Sequence, residues 1–356
     1  MSSRSAVETV EKMVRDGEMV RKLDLTGVDL RGRVLAGGTF QKVDFSGAEL
    51  TGADLRESIF IECRFEQALL ARARCNDSTW QDCHLEGVKA RGSNWARSQL
   101  VESSFDWVDF SGSSLKQTSI VRCKLTDCRF GEAHIELTSF LENELIRADF
   151  SATVLLRPVL YRCDLRTAIF GETSIQLGTL IEANLAGLKL AGLDLSQTQF
   201  TGADLTGVDL TGARLSQCNF QNACLQDARL DGADAANALF IGANLERARL
   251  QCAILDQALL TECKAGGADF TGARASMSQW QRADCRNARL VNMRLNHADF
   301  SNADLSGADL QGSELERCNL HAVHDSEANI PDRSRTLRTD PERLRAERWQ
   351  AASRSP

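Results

Sequence analysis

Thr201–Leu215 reads TGADL-TGVDL-TGARL, three near-copies of one five-residue unit laid end to end. Stepping outward from Leu205 in fives, the same register holds from Leu25 to Leu320 without insertion or deletion. Its 60 positions carry 33 Leu, 15 Phe, 3 Ile, 3 Trp, 2 Cys and 4 Ala. Every phenylalanine of the chain falls on this one position, so it must point into a core. Two residues earlier the side chain is nearly always small (Ala53, Cys63, Ser103, Thr173, Ala203, Ala303), and two residues later stand 19 of the 25 glycines, among them Gly27, Gly52, Gly207 and Gly307. A period of five fits neither the 3.6 of a helix nor the 2 of a long strand. The chain therefore turns every five residues, with a short extended side between corners at which glycine allows a positive φ.

Ala203-Asp204-Leu205-Thr206-Gly207 and Ala303-Asp304-Leu305-Ser306-Gly307 match at every place the pattern of the pentapeptide-repeat family, which the chain resembles over about residues 23–322. The resemblance implies an all-β solenoid, a right-handed quadrilateral β-helix with 20 residues per coil. The chain tests the number of sides itself. Seven Phe–Phe pairs recur at a spacing of 20 (Phe40/Phe60, Phe45/Phe65, Phe110/Phe130, Phe130/Phe150, Phe150/Phe170, Phe200/Phe220, Phe220/Phe240), against one at 15 (Phe45/Phe60), so four sides are favoured over three. About 15 coils at roughly 4.8 Å each give an expected rod on the order of 70 Å long. Stacked neighbours supply its stability.

A stack has open ends that recruit other chains unless covered. Residues 1–22 read as an N-terminal helical cap, with Ser5-Ala6-Val7-Glu8 as a capping box, Val7, Val10, Met13 and Val14 on one face, and Gly17 as the stop. Residues 323–356 read as a polar linker and a short helix entered through Asp340-Pro341-Glu342 and running to about Trp349. An open end also leaves room for a homodimer through that end.

Composition narrows the function. Lys+Arg 42 against Asp+Glu 49 gives a formal charge of -7, with no basic footprint for direct nucleic-acid binding. Nothing approaches a membrane span, and Met1–Arg15 lacks the apolar core of a secretory signal, so a cytoplasmic location is expected. Of the 12 cysteines, eight (63, 83, 123, 128, 163, 218, 263, 318) take the small inward position and two (75, 285) the central one; only Cys224 and Cys252 point outward. Inward thiols are expected as core, not as disulfides or zinc ligands. The five histidines (84, 134, 297, 321, 324) form no recurring spacing with a nucleophile and a carboxylate, and His321-Ala322-Val323-His324 is a weak metal motif. With no loop to build a lid or deep pocket, no catalytic residue, cofactor or metal is expected.

The middle of the repeat departs from its pattern. Between Gly112 and Gly187 no corner holds glycine, and outward residues at a spacing of 20 become apolar: Val101, Val121, Leu141, Tyr161 and Ile181, the last but one being the only tyrosine. Beside them runs Glu102, Arg122, Glu142, Arg162, Glu182, alternating in sign. Leu137, Ile146, Val154, Leu156, Val159 and Leu177 lie in the same coils, and Trp107 is outward on an adjoining side. Aliphatic residues also suit a strand ladder for its own sake, but a patch of this extent with a charged margin reads as a protein-docking surface. The chain is thus expected to be a non-catalytic interaction scaffold with protein partners, and the long loop-free repeat resembles members that accompany bacterial type VI secretion clusters and effector proteins. The competing reading is the family's DNA-mimicking, DNA gyrase-binding class. It needs a sustained acidic stripe, whereas positions 29, 49, 69, 89, 109, 129 and 149 read Asp, Glu, Leu, Lys, Asp, Arg, Asp.

Overall fold

A computed structural model describes residues 3–353; residues 1, 2 and 354–356 of the expected terminal segments lie outside the described residues. The chain divides into two compact units, Met1–Leu188 and Lys189–Pro356. Both are built from the same β-solenoid coil.

The first unit opens with α1 (Ser3–Arg15), two residues ahead of the expected capping box, so Ser5 lies inside the helix and its carbonyl accepts the Thr9 hydroxyl at 2.7 Å. Ala6, Val7 and Val10 are buried, and the helix stops where Gly17 turns to a φ of 72°. Strands β1 (Val20–Arg21), β2 (Thr39–Gln41), β3 (Ile59–Ile61), β4 (Thr79–Gln81), β5 (Gln99–Val101), β6 (Ser119–Val121), β8 (Ser139–Leu141) and β10 (Val159–Tyr161) form one parallel eight-stranded sheet in that order. A second sheet, on the side just before it in each coil, holds β7 (His134–Glu136), β9 (Val154–Leu156) and β11 (Ser174–Gln176). The pairing Phe40↔Phe60, Leu100↔Ile120, Phe140↔Leu160 sets each residue beside the one 20 positions on, which is the four-sided coil. The longest ladder counts eight turns against the about 15 coils expected for the whole repeat, because most other sides are joined by single bridges.

Each five-residue side closes its own hydrogen bonds. The central residue donates to the next coil (Leu25 N–H to the Asp44 carbonyl, 2.8 Å), the corner residue does the same (Gly27 to Ser46, 2.9 Å), and the following small residue folds back (Val28 to Leu25, 3.1 Å). The Asp before the centre accepts the N–H two residues on, as Asp44 does from Ser46 at 2.9 Å, which is why the repeat selects it. Corners are not reserved for glycine: Glu57, Trp107, Leu137 and many others hold φ near +50 to +60°. The neighbouring coils dictate that geometry, and it costs such residues about 1 kcal/mol each relative to glycine.

Inward ladders fill the axis. Phe110, Phe130, Phe150 and Phe170 stack at 5.4, 4.7 and 5.3 Å with ring planes within 10°. In the second unit Phe200, Phe220 and Phe240 stack at 5.0 and 4.9 Å, and Trp280 on Phe300 at 5.1 Å. The segment after Leu320, expected as a linker, keeps the spacing of 20 where His324 bridges Asp304 and Asn329 bridges Asp309, then shortens to 18 where Leu337 bridges Asn319. Helix α2 (Pro341–Ser353) follows, its first N–H groups capped by Asp340 at 2.8 and 3.2 Å. Buried His321 anchors it, accepting the Asp340 N–H on Nδ1 at 3.1 Å and facing Glu347 through Nε2 at 3.2 Å.

Candidate docking surface

The column expected to form an apolar stripe lies within the first unit, at the ends of consecutive strands. Val101 pairs with Val121, Val121 with Leu141, and Leu141 with Tyr161, while the Arg162 N–H donates to the Ile181 carbonyl at 3.2 Å. Their chain neighbours Leu100, Ile120, Phe140, Leu160 and Leu180 are fully buried, so the five point away from the core. All five are half-buried rather than exposed. At strand spacing, each long side chain covers the flank of the next.

The charged column on the adjoining corner pairs coil to coil. Arg122 binds Glu102 at 2.5 Å, and Arg162 binds Glu182 at 2.6 Å while reaching Glu142 only at 3.9 Å. These pairs are exposed and individually weak. They raise the Arg122 and Arg162 guanidinium pKa through hydrogen bonds to Glu102 and Glu182. The Arg162 guanidinium also lies 5.0 Å from the centre of the Tyr161 ring.

The remaining expected residues separate into two groups. Leu156, Leu137 and Leu177 belong to the side carrying β7, β9 and β11, which joins the sheet face through a corner at the start of β8 and β10, whereas the stripe lies at their ends. Leu137 and Leu177 occupy that corner with φ of 53° and 54° and are exposed, as is Val154 at 55%. Ile146, half-buried, and Trp107, 59% exposed, stand on the opposite side, beyond the charged column. The stripe thus runs along the edge next to the charged column, with Leu137, Leu156 and Leu177 across the sheet face from it and Ile146 and Trp107 beyond the charged column.

On the side that holds Ile146 and Trp107 lies a feature the sequence reading passed over. A shallow depression of about 480 Å³ is lined by Asp82, His84, Glu86, Glu102 and Asp106, with Arg122 and Lys124 at one end. The Glu86 Oε2 atom is buried without a hydrogen-bond partner, while Oε1 is 3.4 Å from His84 Nδ1. The signal was available at a spacing of 20, in Glu62, Asp82, Glu102 and in Glu66, Glu86, Asp106. Among the described residues, no group of three His, Cys, Asp or Glu is placed to hold a metal ion, and no helix is long and apolar enough to cross a membrane.

Comparison with known families finds a model of pentapeptide repeats matching residues 180–217, 200–234, 213–251, 238–274 and 283–321, and a pentapeptide-repeat-region model matching 35–110. None of the curated proteins compared matches the chain. Similar solved structures include a trypsin-treated form of QnrB1, a plasmid-mediated fluoroquinolone resistance protein, at 21% identity and a TM-score of 0.35, covering 59% of this chain and 91% of that one. Another is HetL of the cyanobacterium Nostoc sp. strain PCC 7120, a pentapeptide-repeat protein involved in heterocyst differentiation regulation, at 21% identity and a TM-score of 0.19, covering 86% and 93%.

Proposed function

Because the chain belongs to the pentapeptide-repeat family, its two repeat models together matching more than half of it, we propose that it is a non-catalytic interaction scaffold that docks protein partners on the Val101–Ile181 stripe. The observation that supports this is the composition of one flat sheet face: an outward apolar column over five coils, bordered by charges that satisfy one another along the column instead of attracting one sign of ligand. The finer reading is an accessory of a bacterial type VI secretion cluster, working in the cytoplasm on secretion-apparatus or effector proteins. It draws on the long loop-free repeat with a glycine-poor centre between Gly112 and Gly187. Tagged full-length protein should capture its partner from the native cell. Leu141→Ser with Tyr161→Ser should weaken that capture by about 2 kcal/mol with the melting temperature unchanged. Full capture by a normally stable double variant would reduce the stripe to a strand ladder.

A second reading, binding of DNA gyrase by imitation of DNA, is favoured by the acid-lined depression at Asp82, Glu86, Glu102 and Asp106. Recovery of gyrase subunits, abolished by Glu86→Lys with Asp106→Lys and indifferent to the Leu141 and Tyr161 changes, would establish it in place of the first.

A further inference from the structure

Among the 12 cysteines, Cys63 and Cys83 are the one pair that stands 20 residues apart, so they occupy the same place in successive coils of the first unit. The register agrees, since Ile61 pairs with Gln81 just before them and Arg64 bridges His84 just after. Both thiols are free, buried and oriented alike. Cys63 Sγ donates to the Ile61 and Phe40 carbonyls at 3.4 and 3.5 Å, and Cys83 Sγ to the corresponding Gln81 and Phe60 carbonyls at 3.3 and 3.5 Å. Side chains of this column reach back to the preceding coil: Ser103 Oγ accepts the Cys83 N–H at 2.9 Å, and Asn143 Oδ1 the Cys123 N–H at 2.7 Å. Cys83 stands in the same relation to Cys63. At a strand spacing of about 4.8 Å the two α-carbons fall inside the roughly 4.4–6.8 Å that a disulfide spans. Cys123 lies between Ser103 and Asn143 in the same column, and Cys163 between Asn143 and Ala183, so neither has a sulfur neighbour there.

We propose that Cys63 and Cys83 are a reversible dithiol switch, which a hydroperoxide converts to a disulfide tying two successive coils together. The switch is independent of the docking stripe, and it sets this pair apart from the other inward thiols. Cys63 supplies the nucleophile. Its hydrogen bond with Cys83, helped by backbone groups of Val43 and Ile61, lowers the Cys63 thiol against its burial, while burial pushes Cys83 up. The Cys63 thiolate takes one oxygen from the hydroperoxide, the O–O bond breaks, and water or an alcohol leaves with the proton that the thiol gave up. The Cys83 sulfur then attacks the Cys63 sulfur, the S–O bond breaks, and the hydroxyl departs as water with the Cys83 proton. The two electrons lost by the thiols are those gained by the peroxide. Cys83 is among the residues lining the depression of about 480 Å³, so solvent stands on one side of the pair. A peroxide little larger than water needs only a brief parting of two coils to reach Cys63. An alkylating reagent finds no room beside a buried sulfur, whereas a disulfide adds no atoms, so the pair can oxidise in a fold that excludes a thiol label.

The test uses reduced full-length protein carrying Cys224→Ser and Cys252→Ser, which removes the two outward thiols. Hydrogen peroxide is added to the folded protein near neutral pH, the reaction is stopped, and the remaining thiols are alkylated after denaturation for intact-mass and peptide analysis. The chain should lose two alkylatable thiols in a peptide linking Cys63 to Cys83, and dithiothreitol should restore both, with the circular dichroism spectrum unchanged throughout. Cys63 should be consumed at least about tenfold faster than Cys163, which shares its column without a sulfur neighbour. Adding Cys83→Ser, a residue the column already holds at Ser103, should abolish the link and leave a sulfenic acid on Cys63 that dimedone traps. Full alkylation of Cys63 and Cys83 after peroxide, consumption of Cys63 no faster than that of Cys163, or a link that forms only after denaturation overturns the proposal. The comparison with Cys163 needs no variant of the pair, so it decides the matter even if Cys83→Ser destabilises the coil.

Discussion

Asp194 shows what a single polar residue of the repeat does. Its carboxylate accepts Arg214 from the next coil at 2.5 Å, and both the Ser196 N–H and hydroxyl at 3.1 and 2.8 Å. The Arg214 hydrogen bond, reinforced by Ser196 against partial desolvation, holds its pKa down at about 2. Asp209, Asp269 and Asp304 are lowered too, with hydrogen bonds from Thr211, Thr271 and Ser306 among the causes. A folded pKa below the unfolded value of about 3.9 contributes stability that is complete above that pH and is lost as pH falls through the folded value. Denaturant stability should therefore decline between about pH 4 and about pH 2, and Asp194→Asn should flatten part of that slope; a variant with the wild-type slope would show that the Arg214 contact contributes nothing. Burial governs most of the inward thiols, Cys63 being the exception, lowered by a hydrogen bond with Cys83. Desolvation pushes Cys123 up to about 11 and Cys163, Cys218 and Cys318 up to about 12, whereas Cys252 is exposed and Cys224 half-buried. A thiol reagent should modify chiefly Cys252 and Cys224 in native protein, and the inward thiols only after denaturation. Rapid native labelling of Cys163 would contradict its place in the core.

At the scale of the coil, inward stacking and corner strain make opposite demands. Phe130 is sandwiched between Phe110 and Phe150, so Phe130→Asp would bury an unpaired carboxylate and should cost several kcal/mol in thermal or urea unfolding. Unchanged melting would mean that the ring is not inward. Corners respond the other way. Leu137 is exposed at a φ of 53°, so Leu137→Gly should raise stability by up to about 1 kcal/mol, while Gly207→Ala, at a φ of 64° with open space around it, should lower it by about as much. A lowered melt for Leu137→Gly together with a raised one for Gly207→Ala would remove left-handed strain as the explanation. The inward ladder was legible in the sequence because an unbroken period of five places Leu205 and Phe130 alike; the outward surface was less so. Spacing located Val121, Leu141 and Tyr161 in one column, but their partial burial comes from mutual shielding along the ladder, which residue identity does not encode. The groove at Glu86 escaped for a related reason: its acids come from two columns on either edge of a side, and each column read alone resembles ordinary repeat polarity. Ser5 was misread as a cap because Ser3 and Arg4 continue the helix beyond it.

At the scale of the molecule, the register without insertion over residues 23–322 and the division into units 1–188 and 189–356 bear on how the protein unfolds. In a stack of near-identical coils each repeat is stabilised chiefly by its neighbours, so damage travels as far as the coupling between adjacent coils allows. We propose that the repeat region is one cooperative domain. Buried tryptophans report the units separately: Trp80 and Trp95 sit in the core of the first, their indole N–H groups donating to Ser78 and Ser93 at 2.7 and 2.6 Å, and Trp280 in the core of the second, donating to Ser278 at 2.7 Å. In a background where exposed Trp107 and Trp349 are replaced by Phe, Trp280→Phe leaves fluorescence from the first unit alone, and Trp80→Phe with Trp95→Phe leaves that from the second. A single domain requires the two signals to melt together after allowance for each substitution, and adding Phe130→Asp should lower both midpoints. Two separate transitions, with the Trp280 signal indifferent to a charge buried beside Phe150, would instead make Met1–Leu188 and Lys189–Pro356 independent folding domains, and a partner bound on the stripe would then stabilise only the first of them.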